Sequence, residues 1–167
     1  MADAEASRKR EEQLVVFQLA GQTYGMDIAR VFEIIRMETI TRVPKAPSFV
    51  EGVIKLRGNI IPVIDLRKRF AMPPAESTAN NRIVIVEMGG TTIGMIVDAV
   101  SEVLRISQAD IEPPPPMVAG VDAAYLRGIA LWRDRLIILL DLEKILAEKE
   151  QARLRQARME LAAEKPA

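Results

Sequence analysis

Two aspartates that each follow an apolar run, Asp65 and Asp141, are the residues whose spacing could support catalysis. Two carboxylates held a few ångströms apart share one proton, which is the arrangement of two-lobed aspartic hydrolases. Such enzymes place a small, flexible turn at each carboxylate, whereas here the sequences read Asp-Leu-Arg and Asp-Leu-Glu. These are helix starts, where an aspartate caps free backbone N–H groups. We therefore expect two caps and keep an aspartyl hydrolase as a distant alternative.

The composition excludes most other catalytic sites. The chain has no Cys and no His, which removes disulfides, the usual zinc sites and any Ser-His or Cys-His relay. Its 23 basic and 23 acidic residues balance, which argues against nucleic acid as a partner. No apolar run approaches the roughly 18 to 20 residues of a membrane helix. We expect a cytoplasmic protein that is not an enzyme, with no metal, no cofactor and no direct membrane insertion.

A glutamate and an arginine among apolar residues indicate a binding surface instead. Val31 and Glu33 are two residues apart, so an extended strand would place both on one face. Arg57 stands in Lys-Leu-Arg-Gly, where it is either a structural partner for a carboxylate or a surface anchor. Our hypothesis is that Glu33 and Arg57 pair and hold an apolar patch around Val31.

An internal repeat must position these residues. Residues 17–47 align without a gap with residues 86–116, and residues 52–70 align with residues 128–146. Fifteen of the fifty aligned positions are identical, where average composition would give about three. Glu33 and Arg57 are among the identities. The chain therefore contains two structurally similar halves.

Short apolar runs predict that both halves are built from strands. Leu14–Leu19, Ile83–Val86 and Leu136–Leu140 are too short for core helices and are bounded by Gly, Asn, Asp or Arg. Gly21-Gln22 and Gly89-Gly90 lie where hairpin turns are expected. The short, regular spacing of the turns favours small barrels or a sandwich.

The boundaries of the halves follow from changes in composition. The first half spans about residues 14–70 and the second about residues 82–146, with interleaved ends. Residues 71–81 are rich in Pro, Ser, Thr and Asn, which is typical of a linker. Residues 1–12 form a charged tail, and residues 148–167 form a charged tail that is either helical or disordered.

Three local signals add detail. Pro62 lacks an N–H and predicts an edge strand or a bulge. Asp65 is expected to cap a short helix. The spacing of Leu142, Ile145 and Leu146 predicts a helical turn that packs on the body of the protein.

One succession of motifs between Gln13 and Leu146 carries a family resemblance. In order, it reads YGMDI, V-x-E-I-I, T-R-V-P, A-P-x-F-V-E-G-V-I-x-L-R-G, I-I-P-V-I-D-L-R and G-M-I-V-D-A-V-S-E-V-L. The succession resembles the CheW family of bacterial chemotaxis coupling proteins, and the matching domain spans residues 13–147.

The resemblance implies a fold, a function and a set of contact residues. The fold is all-β, with two intertwined SH3-like five-stranded barrels, short helices and a C-terminal helix. The function is that of a non-catalytic adaptor that couples the cytoplasmic tips of methyl-accepting receptors to the regulatory domain of the kinase CheA, in arrays at the inner membrane. A scaffold of the same fold for a non-flagellar CheA-like pathway is the alternative. The implied receptor-binding residues are Val31, Glu33, Thr41, Gly52, Arg57 and Val103; no kinase-binding residue is assigned.

Overall fold

The computed structural model describes residues 10–118 and 120–146. Over these ranges the chain is built almost wholly from strands. They are β1 (Glu11–Leu19), β2 (Gln22–Asp27), β3 (Val31–Arg36), β4 (Val50–Leu56), β5 (Asn59–Asp65), β6 (Arg82–Met88), β7 (Thr91–Val97), β8 (Ala99–Ser107), β9 (Ile111–Glu112), β10 (Met117–Val118), β11 (Val121–Asp122), β12 (Leu126–Trp132) and β13 (Arg135–Leu140).

Helices in the described part of the chain are short. Helix α1 spans Leu66–Arg69, and 3₁₀ turns occupy Ile28–Arg30, Gln108–Asp110 and Ala123–Tyr125. Within the described ranges, none of these is long and apolar enough to cross a membrane.

The strands form two main sheets and one small ribbon. Sheet A has the order β8-β1-β2-β13-β12-β9, sheet B has the order β3-β6-β7-β5-β4, and β10 pairs with β11. The β1–β2 hairpin of the first half therefore lies among strands of the second half. The β6–β7 hairpin of the second half reciprocally lies among strands of the first. Each sheet is thus built from both halves of the repeat.

Each sheet curves back on itself. In sheet A, a single stretch of chain, residues 99–112, supplies both edge strands, β8 and β9. In sheet B, Thr41 follows the edge strand β3 and pairs with Val53 on the opposite edge strand β4. The two backbone hydrogen bonds of that pair measure 2.9 and 2.8 Å. The repeated halves therefore close their sheets in the same way.

Three apolar clusters fill this architecture. One lies within sheet A, one within sheet B, and the largest lies between the sheets. Along β1, Leu14 and Val16 enter the sheet A cluster, while Val15, Phe17 and Leu19 enter the central one. Because both faces of β1 are buried, its sequence is a continuous apolar run rather than an alternating one.

Four two-residue turns connect the hairpins, and both residues of each turn have positive φ. This is the type I′ geometry, whose twist matches that of the flanking strands. The first turn is Ala20-Gly21, one residue before the predicted position, and the Gly89-Gly90 turn is confirmed.

Pro62 does not lie on an edge strand, so the edge-strand alternative was wrong. Strand β5 lies between β4 and β7. Pro62 is opposite Val53 of β4, and the pairing with β7 begins only at Val63. The missing N–H therefore interrupts no ladder to β7, and the nearby bulge is in β4, between Val50 and Gly52.

The end of the described chain packs on the central cluster. Leu142, Ile145 and Leu146 are at most 4% exposed and belong to that cluster, as their spacing predicts. They lie in a turn rather than a regular helix. The predicted C-terminal helix and tail after residue 146 lie outside the described residues, as do residues 1–9 of the N-terminal tail.

Candidate functional site

The turn between β4 and β5 places Arg57 at the surface. Arg57 has φ of 50° and Gly58 has φ of 82°, so a non-glycine residue holds the left-handed conformation. The Arg57 side chain is 72% exposed, while that of its partner Glu33 on β3 is only 25% exposed. The turn follows β4, one edge strand of sheet B, and directs the Arg57 side chain towards the carboxylate of Glu33 on β3, the other edge strand.

Glu33 and Arg57 form a bidentate ion pair, which confirms the predicted pairing. Nη2 of Arg57 donates to Oε1 of Glu33 at 2.9 Å, and Nη1 donates to Oε2. Hydrogen bonding and the charge of Glu33 raise the pKa of Arg57 above its usual value. Because a guanidinium has five N–H donors, donors remain to bind a partner from solution.

A bulge in β3 separates Val31 from Glu33, so the prediction that they share a face was wrong. Val31 lies opposite Val86, but Glu33 lies opposite Ile85, the next residue on β6. Directly opposed residues point to the same face. Val31 therefore packs against the central cluster, whereas Glu33 points to the face that carries the sheet B cluster.

The bulge also exposes an aromatic ring that the sequence interpretation missed. Phe32 is the extra residue of the bulge and is 60% exposed, and Ile34 beyond it is 39% exposed. Bulges often re-aim a side chain in this way. Phe32, Glu33 and Arg57 are called the Glu33–Arg57 surface below, whereas Ile34 points to the opposite face, towards the central cluster.

Thr41 and Gly52 meet at the closure of sheet B. A Cβ added to Gly52 would lie 2.0 Å from the carbonyl oxygen of Thr41, and Gly52 has φ of 145°. At Gly128, the equivalent residue in the repeat, an added Cβ would lie 2.4 Å from the carbonyl oxygen of Glu112. The role of Gly52 in the structure is therefore closure of the sheet, and it places Thr41 at the surface.

Val103 lies on the other sheet. It is 50% exposed and opposite Val15, whose side chain belongs to the central cluster. Val103 therefore points to the face that sheet A turns towards sheet B. Its equivalent in the repeat is Ile34, which is opposite Val84 of the central cluster. The repeat was the signal that could have identified Ile34 from Val103.

The second half repeats the ion pair with a different arginine. Arg135 donates to Glu102 at 3.3 Å, whereas Arg133, the equivalent of Arg57, stacks over Trp132 at 4.6 Å. The two turns are alike in backbone but present different surfaces. Of these two turns, the first alone combines a bidentate pair with an exposed aromatic residue on the strand that carries the paired glutamate.

Asp65 caps α1 as predicted, Asp141 caps a turn rather than a helix, and the two aspartates form no common site. Asp65 accepts a hydrogen bond from the backbone N–H of Arg67 at 2.9 Å, and Asp141 accepts one from that of Glu143 at 3.1 Å. They border different cavities. Burial raises the pKa of Asp65, partly offset by hydrogen bonds from the start of α1. The described residues also contain no cluster of Asp and Glu suited to a metal ion.

Comparisons with known proteins agree on one family. The sequence model of the CheW-like domain matches residues 13–150. The chain is 36% identical over 141 residues to the chemotaxis protein CheW of Klebsiella aerogenes, covering 84% of this chain and 85% of that protein. It is 33% identical over 147 residues to CheW of Bacillus subtilis, covering 88% and 94%.

A solved structure is also similar. The scaffolding protein TtCheW from Thermoanaerobacter tengcongensis superimposes with a TM-score of 0.79 and is 44% identical in sequence. The superposition covers 84% of this chain and 96% of that one.

Proposed function

The chain belongs to the CheW-like family and is a non-catalytic chemotaxis coupling adaptor, and we propose that it binds the cytoplasmic tips of methyl-accepting receptors through the Glu33–Arg57 surface. A CheA-type kinase is the second proposed partner. The adaptor thereby bridges receptors to the kinase in arrays at the inner membrane. The distant alternative of an aspartyl hydrolase is not favoured, because Asp65 and Asp141 are caps.

The bidentate pair of Glu33 and Arg57 is the observation that carries the receptor side. Because the Arg57 side chain is largely exposed, solvent screens its attraction to Glu33. The pair does fix the direction of the guanidinium, which keeps further N–H donors, and the exposed ring of Phe32 lies on the same strand as Glu33. This combination suits a helical hairpin, which presents apolar and polar side chains on one face.

The proposal also includes Thr41 and Val103, which are both exposed. Val31 packs against the central cluster, so its part in the contact is to support β3. Contacts between signalling proteins are often small and individually weak, and assembly into an array supplies avidity.

Arg57→Gly tests the receptor site without straining the fold. Glycine adopts the left-handed conformation of residue 57 freely, so we expect a melting temperature within a few degrees of the parent's. Loss of the oriented guanidinium should weaken binding to a purified receptor hairpin fragment about tenfold. Isothermal titration calorimetry measures the affinity, and circular dichroism measures the melting temperature.

Arg133→Gly is the matched control. It makes the same substitution at the equivalent turn position, where φ is 47°, and removes the same charge. We expect it to leave receptor affinity unchanged. Equal loss of affinity in both variants would contradict the assignment, because the loss would then come from the change in net charge and not from the position of the arginine. A parent protein that binds no receptor fragment would contradict the proposed function itself.

A further inference from the structure

A recess of about 210 Å³ opens beside the closure of sheet B. Three cationic side chains line it, those of Arg42, Lys45 and Lys68, together with the acidic Glu51. The ammonium of Lys68 already contacts the carboxylate of Glu51. Among the residues that line the recess, the charges of Arg42 and Lys45 are therefore not balanced. These four residues are called the cationic recess below.

The backbone around the cationic recess is held at several points. Thr41 is tied to Val53 by two hydrogen bonds, and the N–H of Val50 donates to the carbonyl of Pro47 at 3.0 Å. The N–H of Asp65 donates to the carbonyl of Phe49 at 2.8 Å. A rim that is already ordered loses little conformational entropy when a ligand binds.

The repeated fold does not require these cations. The positions equivalent to Arg42 and Lys45 in the second half are Ile111 and Pro114. The second half closes its own sheet with Ile111, which pairs with β12, and Pro114 follows in the loop. Lys45 also holds φ of 63°, a conformation that lysine adopts at some cost. The two charges therefore call for an explanation other than folding.

We propose that the cationic recess binds an acidic side chain of the receptor hairpin that docks on the Glu33–Arg57 surface. This inference rests on the proposed function and adds to it a preference for receptors with a carboxylate at that point. The recess adjoins Thr41, a further residue of the proposed contact, because Arg42 follows Thr41 in the chain. Arg57 lies at the opposite end of β4 from Glu51, so the docked hairpin extends along that strand for about 20 Å. Its excess of two positive charges is complementary to such a carboxylate, and its volume admits one side chain.

The expected contribution is modest and depends on salt. Each exposed ion pair is weak, so removing both unbalanced cations should lower receptor affinity about fivefold at low salt. The difference should shrink as ionic strength rises, because exposed charges are screened over about 10 Å at 0.1 M salt.

The double variant Arg42→Gln, Lys45→Asn tests the proposal against the receptor fragment by calorimetry at low and high salt. Asparagine tolerates the left-handed backbone at position 45, so the loop keeps its shape. The control is Arg36→Gln, Arg105→Gln, which removes two exposed arginines at equivalent positions of β3 and β8. We expect the first variant to lose affinity at low salt and the control to keep it.

Three results would overturn the inference. Unchanged affinity in the recess variant, with affinity lost in Arg57→Gly, would leave the proposed function intact and remove the recess from it. Equal losses of receptor affinity in the recess variant and the control would show that the change in net charge, and not the recess, is the cause. Loss of binding to vesicles containing phosphatidylserine, with receptor affinity unchanged, would assign the recess to a lipid headgroup instead.

Discussion

Arg57 holds a backbone conformation that glycine adopts without strain, and its side chain is largely exposed. Both features fit the proposed role of Arg57 in receptor binding better than a role in the stability of the fold. Val31 is the opposite case, because it is half-buried against the central cluster. A charged substitution at Val31 alters the core, so a loss of binding there says little about direct contact.

Another ion pair connects the two halves and makes stability depend on pH. Asp98, which follows β7, accepts hydrogen bonds from Nε and Nη2 of Arg67 in α1 at 2.9 and 2.6 Å. It also accepts one from the N–H of Ala20 in the first hairpin turn, at 2.9 Å. Burial by itself raises the pKa of Asp98, but these hydrogen bonds outweigh it, and the net pKa is lowered.

We expect Asp98→Asn to destabilise the protein at neutral pH and to matter less in acid. A carboxyl whose pKa is lower in the folded state stabilises the fold above its unfolded pKa of about 4. That stabilisation is lost as the pH falls through the folded value. Urea unfolding of parent and variant from neutral pH down to about pH 3 measures the difference. A difference that stays constant or grows in acid contradicts this linkage.

At the scale of elements, the closure of each sheet depends on a glycine that another backbone approaches. The bulges at Gly52 in β4 and Gly128 in β12 occur at equivalent positions of the repeat. In each case a carbonyl oxygen occupies the space that a Cβ would fill. These glycines can therefore be explained by packing, although the family resemblance also includes Gly52 among the implied receptor-binding residues.

Gly52→Ala should open the closure of sheet B. Its Cβ would displace Thr41 and break the pair with Val53, so we expect a loss of about 3 kcal/mol or more in the free energy of unfolding. Gly58→Ala is the control, because Gly58 also has positive φ but has no atom within 4 Å of the added Cβ. That variant should lose only about 1 kcal/mol. Equal losses in chemical denaturation would show that backbone strain, not the close approach, is the cause.

At the scale of the whole molecule, the exchange of hairpins joins the two halves into one folding unit. Sheet A needs β1 and β2 from the first half, and sheet B needs β6 and β7 from the second. Arg69 reinforces the connection, because it lies over the rings of Phe49 and Tyr125 at 5.1 and 5.0 Å and donates to the carbonyl of Ile145.

Neither half should fold alone. We expect fragments 1–76 and 77–167 to lack cooperative unfolding separately and to form a folded complex when mixed, because each fragment supplies a hairpin that the other needs. Circular dichroism and size-exclusion chromatography of the single and mixed fragments provide the measurement. A fragment that melts cooperatively by itself would contradict the exchange of hairpins.

Much of this architecture was determined by local sequence. The apolar runs predicted β1, β6 and β13, the repeat predicted two similar halves, and Glu33 and Arg57 were correctly paired. These features depend on patterns within a few residues or on a comparison of the chain with itself. The bulge at Phe32 could not be predicted, because it arises from the register between β3 and β6, about 50 residues apart.

The partner chosen by each hairpin was decided only by the tertiary structure. Since β1 and β6 have nearly the same apolar pattern, β3 would find similar side chains opposite it on either strand. Local propensity therefore cannot decide whether each half pairs with its own first hairpin or with the hairpin of the other half. The structure pairs β3 with β6 and β8 with β1, and buries both faces of β1 and β6 between and within the sheets. That burial is a property of the assembled molecule, and it also sets which apolar residues of β3 and β8 remain exposed for a partner.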